Sequence, residues 1–221
     1  MDRMSRRRIM SSHAPIKVAA YLLRLDGAFE DGNYDIALTD ADRQRAAEMR
    51  SLPQRAAFLA ARKALRELLG ACLGCPPAEA PIISGPDGKP RLASGNIEFS
   101  LSRRDRWCAV ALSADAPIGI DVEPVRPLEG MDEIVAEFFP PVARAAFASA
   151  APDQRQIVFF RWWTRIEAAV KASGRGLDSS ISCFDGVAYQ TCEVVPGLAA
   201  AVAVAGEGPA IIDWQIRNLN S

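Results

Sequence analysis

Two long helical stretches, each trailed by short apolar runs, decide most of what this 221-residue chain can fold into. "PQRAAFLAARKALRELLG", with Pro53 near its start, repeats apolar residues at Phe58, Leu59, Leu65, Leu68 and Leu69, and Gly70 stands where a C-terminal cap belongs. Arg55, Arg62 and Arg66 fall about two turns and then one turn apart and line a basic stripe beside the apolar one. Ahead of this helix, "VAAYLLRLD" from Val18 reads as a strand and "TDADRQRAAEMRSL" as a helix with Thr39 and Asp40 as candidate caps. Behind it, the turn-rich "SGPDGKPRL" delivers Lys89 on a tight loop before the strands "IEFSLS" and "WCAVALS". The break "ADAP" before "IGIDVEPV" predicts a hairpin.

The second helical stretch runs from Met131 to Leu177, interrupted at Pro140, Pro141 and "APDQ". Three strands follow: "GVAYQTCEVV", "LAAAVAVAG" and "AIIDWQI". This order predicts an α+β protein of two comparable halves, each a long helix laid on an antiparallel sheet. The divisions are a tail at 1–16, an N-terminal half at 17–115 and a C-terminal half at 116–221.

Lys plus Arg at 26 against Asp plus Glu at 27 leave a net charge of −1, so no global field recruits nucleic acid or an anionic membrane. The apolar runs are too short to span a bilayer. Five cysteines, with no apolar leader, point to reduced thiols in a cytoplasm and no disulfides. Cys72 and Cys75 lack the second ligand pair that a zinc site needs. The single histidine, His13, falls in the tail with Arg6–Arg8, so the body has no Ser-His-Asp triad, Cys-His pair or histidine-based zinc site. Its chemistry must run on carboxylates, lysine, arginine, cysteine or a bound ion.

In "GIDVE", strand alternation sends Asp121 and Glu123 to one face, Ile120 and Val122 to the other. An isolated pair of this kind reads as a solvent-facing edge. Here the flanking strand is apolar and a third acid is available. In "RWWTRIEAAVKASGRGL", Trp163, Glu167 and Lys171 follow each other at i, i+4 with Ile166 and Val170 beside them, so Glu167 and Lys171 border the core face. The ordinary alternative is a solvated Glu–Lys pair. Asp121, Glu123 and Glu167 together would supply the oxygen ligands of a hard cation such as Mg²⁺, and Lys171, Lys89, Arg103 and the helical arginines a local positive field for phosphate.

With these residues in place, the chain resembles a 4′-phosphopantetheinyl transferase of the surfactin-synthetase-activating type. The resemblance rests on the arginine-bearing helix, "GKP", "FSLSR", "GIDVE" and, about forty residues further on, "WTRIEAAVKASGRGL". It implies two halves related by a pseudo-twofold axis, a monomer, and coenzyme A with Mg²⁺ in the cleft between the halves. The implied reaction moves phosphopantetheine from coenzyme A to a serine of an acyl or peptidyl carrier protein and releases adenosine 3′,5′-bisphosphate. By the resemblance Asp121, Glu123 and Glu167 hold the metal, Glu167 also assists deprotonation of the serine, and Lys171 neutralises the diphosphate. Lys89, Pro90, Ser102 and Arg103, with Arg55 and Arg62, would grip the nucleotide end of coenzyme A.

Two positions depart from the family pattern. "FSLSR" places Arg103 where the family's F-N-x-S-H has histidine, and Ile166 precedes Glu167 where lysine is common, leaving Arg165 or Arg175 as substitutes. Arginine still binds phosphate, bidentately and without pH dependence. These departures motivate the alternative of a non-catalytic homologue that binds coenzyme A or a carrier protein. Carrier docking is expected on an apolar patch within Met131 to Phe147.

Overall fold

Strand β1 (Ile16–Arg24) buries Ile16, Val18, Ala20 and Leu22 on one face and Leu23 on the other, so it serves two cores. The computed structural model describes residues 14–25, 36–85, 89–94, 96–174, 187–192, 195–206 and 208–218. Positions 1–13 of the tail, Gly88, Arg175–Leu177 and Cys183 lie outside the described residues.

Helix α1 (Asp40–Ala47) opens with a capping box, the Thr39 hydroxyl accepting from the Asp42 N–H while Asp42 accepts from Thr39. Helix α2 (Leu52–Leu73) is capped by Ser51 and ends at Gly74, whose φ of 68° is left-handed. Gly70 is therefore not the cap. A Cβ on Gly70 would stand 2.8 Å from the Cys75 carbonyl oxygen, so this glycine admits the returning chain, and the helix runs on through Cys72. Arg66, 4% exposed, sets Nε 2.6 Å from Asp42 and donates to the carbonyls of Pro77, Ala78 and Ala80, which ties α1, α2 and the following 3-10 turn together. Burial raises the Asp42 carboxyl, but bonds from Thr39 and Arg66 outweigh it and leave it below the usual range.

A short hairpin, β2 (Ile82–Ser84) with β3 (Pro90–Leu92), precedes β4 (Glu98–Arg104) and β5 (Trp107–Ser113). Next come β6 (Ile118–Pro124), α3 (Met131–Phe138), α4 (Pro141–Ser149), α5 (Arg155–Ser173), β7 (Val187–Cys192), β8 (Leu198–Ala205) and β9 (Ala210–Asn218). One sheet is ordered β4-β5-β1-β9 and another β6-β8-β7. No β5–β6 hairpin forms: both edges of β5 are taken by β4 and β1, so the chain crosses at Ala114–Pro117 to start the second sheet. Nor is the first sheet wholly antiparallel, because β9 returns from the other half and pairs parallel to β1.

Four layers result. Ala57, Ala61, Leu65 and Leu69 of α2 pack on Leu23, Phe99 and Val110 of the first sheet. The opposite face of that sheet meets Ile118, Ile120, Val122 and Val202 of the second. Helix α5 covers the outer face, with Ala168, Ala169 and Ala172 against Ala201 and Ala203. Segments β1-α2-β4-β5 and β6-α5-β7-β8 share one order of element types, and their strands take the same spatial order, β4-β5-β1 and β7-β8-β6. Among the described residues no helix is long and apolar enough to cross a membrane.

Candidate active site

Small residues bring α5 against β6. Gly119 faces Ala168 and Ala172, so Asp121 and Glu123, two and four positions on, share the α5 side while Ile120 and Val122 enter the inter-sheet core. The predicted split of faces is observed. Asp121 is 5% exposed, and its Oδ1 accepts from Lys171 Nζ at 2.8 Å and from Ser102 Oγ at 2.7 Å. Lys171 also donates to the Ile120 carbonyl at 3.0 Å. Its ion pair thus runs across to the strand rather than along the helix to Glu167. Asp121 Oδ2 is buried with no hydrogen-bond partner.

Arg104 Nε lies 3.2 Å from Glu123, and burial pushes the Glu123 carboxyl up, the Asp121 charge adding to it and Arg104 opposing. Burial is also the main force raising the Glu167 carboxyl, followed by Asp121, with Lys171 opposing. Glu123 and Glu167 therefore each feel the Asp121 charge, although among the described residues no group of three such side chains forms a ready metal cage.

The shifts have a sign. A carboxyl raised in the folded state holds its proton at pH values where the unfolded chain, near the ordinary 4.5, has released it, so stability falls as pH climbs through that interval. Glu167→Gln is expected to raise the melting temperature at neutral pH by about 2–4 °C. The gain should vanish below the ordinary glutamate pKa of 4.5, as thermal unfolding across pH will show.

Strand alternation separates two residues grouped together in the sequence. Ser102 turns toward the acids, whereas Arg103 turns toward α2 and donates to the Gln54 carbonyl at 3.0 Å. The Arg103 and Arg62 guanidiniums lie 5.9 and 5.3 Å from the Phe58 ring. These residues, with Arg66, Pro90 and Leu101, line a cavity of about 600 Å³. Arg62 is also paired with Asp42 at 3.1 Å. Arg55 instead donates to the carbonyls of Ala47 and Met49 and braces the α1–α2 link. Lys89 reaches helix α5: its ammonium donates to the Lys171 carbonyl at 2.6 Å, at the negative end of α5.

Ile166 is 1% exposed in the core formed with Phe139 and Phe159. Arg165 donates to Thr191 and stacks on Trp162 and Tyr189. Burial pushes the fully buried Cys108 thiol to about 12, which removes it as a nucleophile. In the segment expected to dock a carrier, Val135, Phe139, Ala143 and Phe147 are core residues and Val142 is the large exposed apolar side chain. Phe58 and Arg104 join the site without a motif that marks them; Phe58 stands one turn before Arg62, which is the signal that points to it, and Arg104 has none.

A family model described as the 4′-phosphopantetheinyl transferase superfamily matches residues 117–214, from the start of β6 into β9. The 4′-phosphopantetheinyl transferase HetI of Nostoc sp. is 33% identical over 176 residues, covering 72% of each chain. A putative 4′-phosphopantetheinyl transferase of Synechocystis sp. is 29% identical, over 66% of this chain and 61% of its own. A Bacillus subtilis 4′-phosphopantetheinyl transferase is 33% identical over 98 residues, 44% of this chain and 42% of its own.

Proposed function

Because the chain belongs to the 4′-phosphopantetheinyl transferase superfamily, we propose that it transfers 4′-phosphopantetheine from coenzyme A to a serine of an acyl or peptidyl carrier protein. The observation that carries this reading is the meeting of Asp121, Glu123, Glu167 and Lys171 where β6 packs on α5. The serine oxygen forms a bond to the pantetheine-side phosphorus, its proton passes to Glu167 directly or through water, and the phosphoanhydride bond breaks to release adenosine 3′,5′-bisphosphate.

The donor set suits Mg²⁺. Buried Asp121 Oδ2 has no hydrogen-bond partner, and Glu123 and Glu167 are carboxylates raised by burial and by Asp121, so a hard cation would relieve their repulsion. When bound, the ion supplies charge stabilisation at the diphosphate. Lys171 places a second positive charge beside it, and Lys89 holds the helix end that carries Lys171. The cavity beside Phe58 accepts the nucleotide end of coenzyme A, with Arg103 and Arg62 on its 3′-phosphate.

The shared order of elements and strands supports a pseudo-twofold relation between the halves at 17–115 and 116–221, with one chain completing its own site as a monomer. Free Cys72, Cys75 and Cys108 fit a reducing, cytoplasmic setting.

Intact-mass spectrometry of an apo carrier protein incubated with the chain, coenzyme A and Mg²⁺ tests the reading. A chelator-sensitive gain of one phosphopantetheine supports it. No gain across several carriers, from a chain that still binds coenzyme A, points to the non-catalytic homologue that buried Ile166 motivates. Arg103→Ala is expected to raise the KM for coenzyme A about 10-fold and that for dephospho-coenzyme A far less, the loss of one charge-assisted bond. Equal effects on both substrates would remove Arg103 from the 3′-phosphate.

A further inference from the structure

We infer that Ser100, which lies outside the acid and lysine cluster, is the positioning residue that sets Asp121 for the chemistry. Its effect on turnover rests on the transferase reading; its effect on Asp121 does not.

Strands β4 and β6 are edge strands of different sheets, and they lie side by side with no ladder between them. Main-chain groups on two abutting buried edges still need partners. Ser100, 1% exposed, provides one: its Oγ accepts from the Ile120 N–H at 3.1 Å. One strand period later Ser102 donates to Asp121 Oδ1. Ile120 is thereby held at both ends, its N–H by Ser100 and its carbonyl by Lys171. The residue clamped in this way is the one immediately before Asp121. The Ser100 hydroxyl is turned to the Ile120 amide, so its route to the reaction runs through the strand it grips.

Removing the hydroxyl leaves the Ile120 N–H buried without an acceptor and frees the β4–β6 seam to spread. A displacement of an ångström at a reacting group costs on the order of 100-fold, and a partial one less. Ser100→Ala is expected to lower kcat about 10-fold, with the KM for coenzyme A changed less than twofold. Amide exchange at Ile120 should quicken at least 10-fold while the rest of β6 stays protected. Ser100→Thr, which keeps the hydroxyl, is expected to restore both.

Wild-type-like kcat in Ser100→Ala would overturn the inference, as would parallel loss of kcat and coenzyme A binding together with a collapsed melting temperature. Should the wild-type chain transfer nothing, the transferase reading fails, and crystal structures of wild type and Ser100→Ala then decide the point. A displaced Asp121 carboxylate supports the role of Ser100; a superimposable one ends it.

Discussion

Glu167→Gln is expected to lower phosphopantetheine transfer by about 10³-fold while coenzyme A still binds and α5 remains folded, the range set by losing a general base. A serine hydroxyl is a weak nucleophile at neutral pH, and a carboxylate raised above its ordinary pKa is the stronger proton acceptor. Glu167 is raised chiefly by burial and then by Asp121. Glutamine keeps the shape and hydrogen-bonding reach of the side chain but cannot take the proton. Initial rates by intact mass should show kcat and kcat/KM falling together, because the interaction belongs to the transition state. Wild-type rates in this variant would remove Glu167 from proton transfer. The same substitution is the one expected to stabilise the fold at neutral pH, so the effects of Glu167→Gln on stability and on rate should run in opposite directions.

Gly119→Ala is expected to destabilise the protein by about 3 kcal/mol or more, lowering the melting temperature by roughly 6–12 °C and transfer by about 100-fold. A Cβ at Gly119 would stand 1.9 Å from the Ala168 carbonyl oxygen and 2.6 Å from the Ala172 nitrogen. Both are main-chain atoms of α5, so no side-chain rotation relieves the overlap. The helix must lift, which opens the alanine contact with Ala201 and Ala203 and stretches the Lys171 bonds to Asp121 and Ile120. Gly174→Ala makes the comparison: it is left-handed at φ 67° with nothing within 4 Å of a Cβ, so it should cost about 1 kcal/mol of backbone strain. Thermal and urea unfolding of the two variants decide the matter, and a mild effect at Gly119 would remove the close helix–strand contact as the reason for that glycine.

The candidate site was legible where a local period dictates direction. Alternation placed Asp121 and Glu123 on the face opposite Ile120 and Val122, and the helical repeat placed Glu167 and Lys171 at the margin of the core. The same alternation separates Ser102 and Arg103 despite their adjacency in the motif; the strand sends one to the acids and the other to Phe58. Gly70 fits a cap by its position after a leucine pair, yet the helix runs on to Gly74, because the glycine answers a contact with Cys75 that no local pattern contains.

Residue order and composition are enough for the set of elements and the chemistry they carry: α2 and α5, the strands around them, and acids, lysines and arginines in place of histidine. Periodicity and composition act within one element, and those assignments needed nothing more. It takes the packed fold to show that β6 opens a second sheet, that β9 crosses back to lie parallel to β1, that Lys171 pairs with Asp121 and that Ser100 holds Ile120. Each of these joins residues distant in the chain, through edges and faces whose partners depend on which other strands have already taken them.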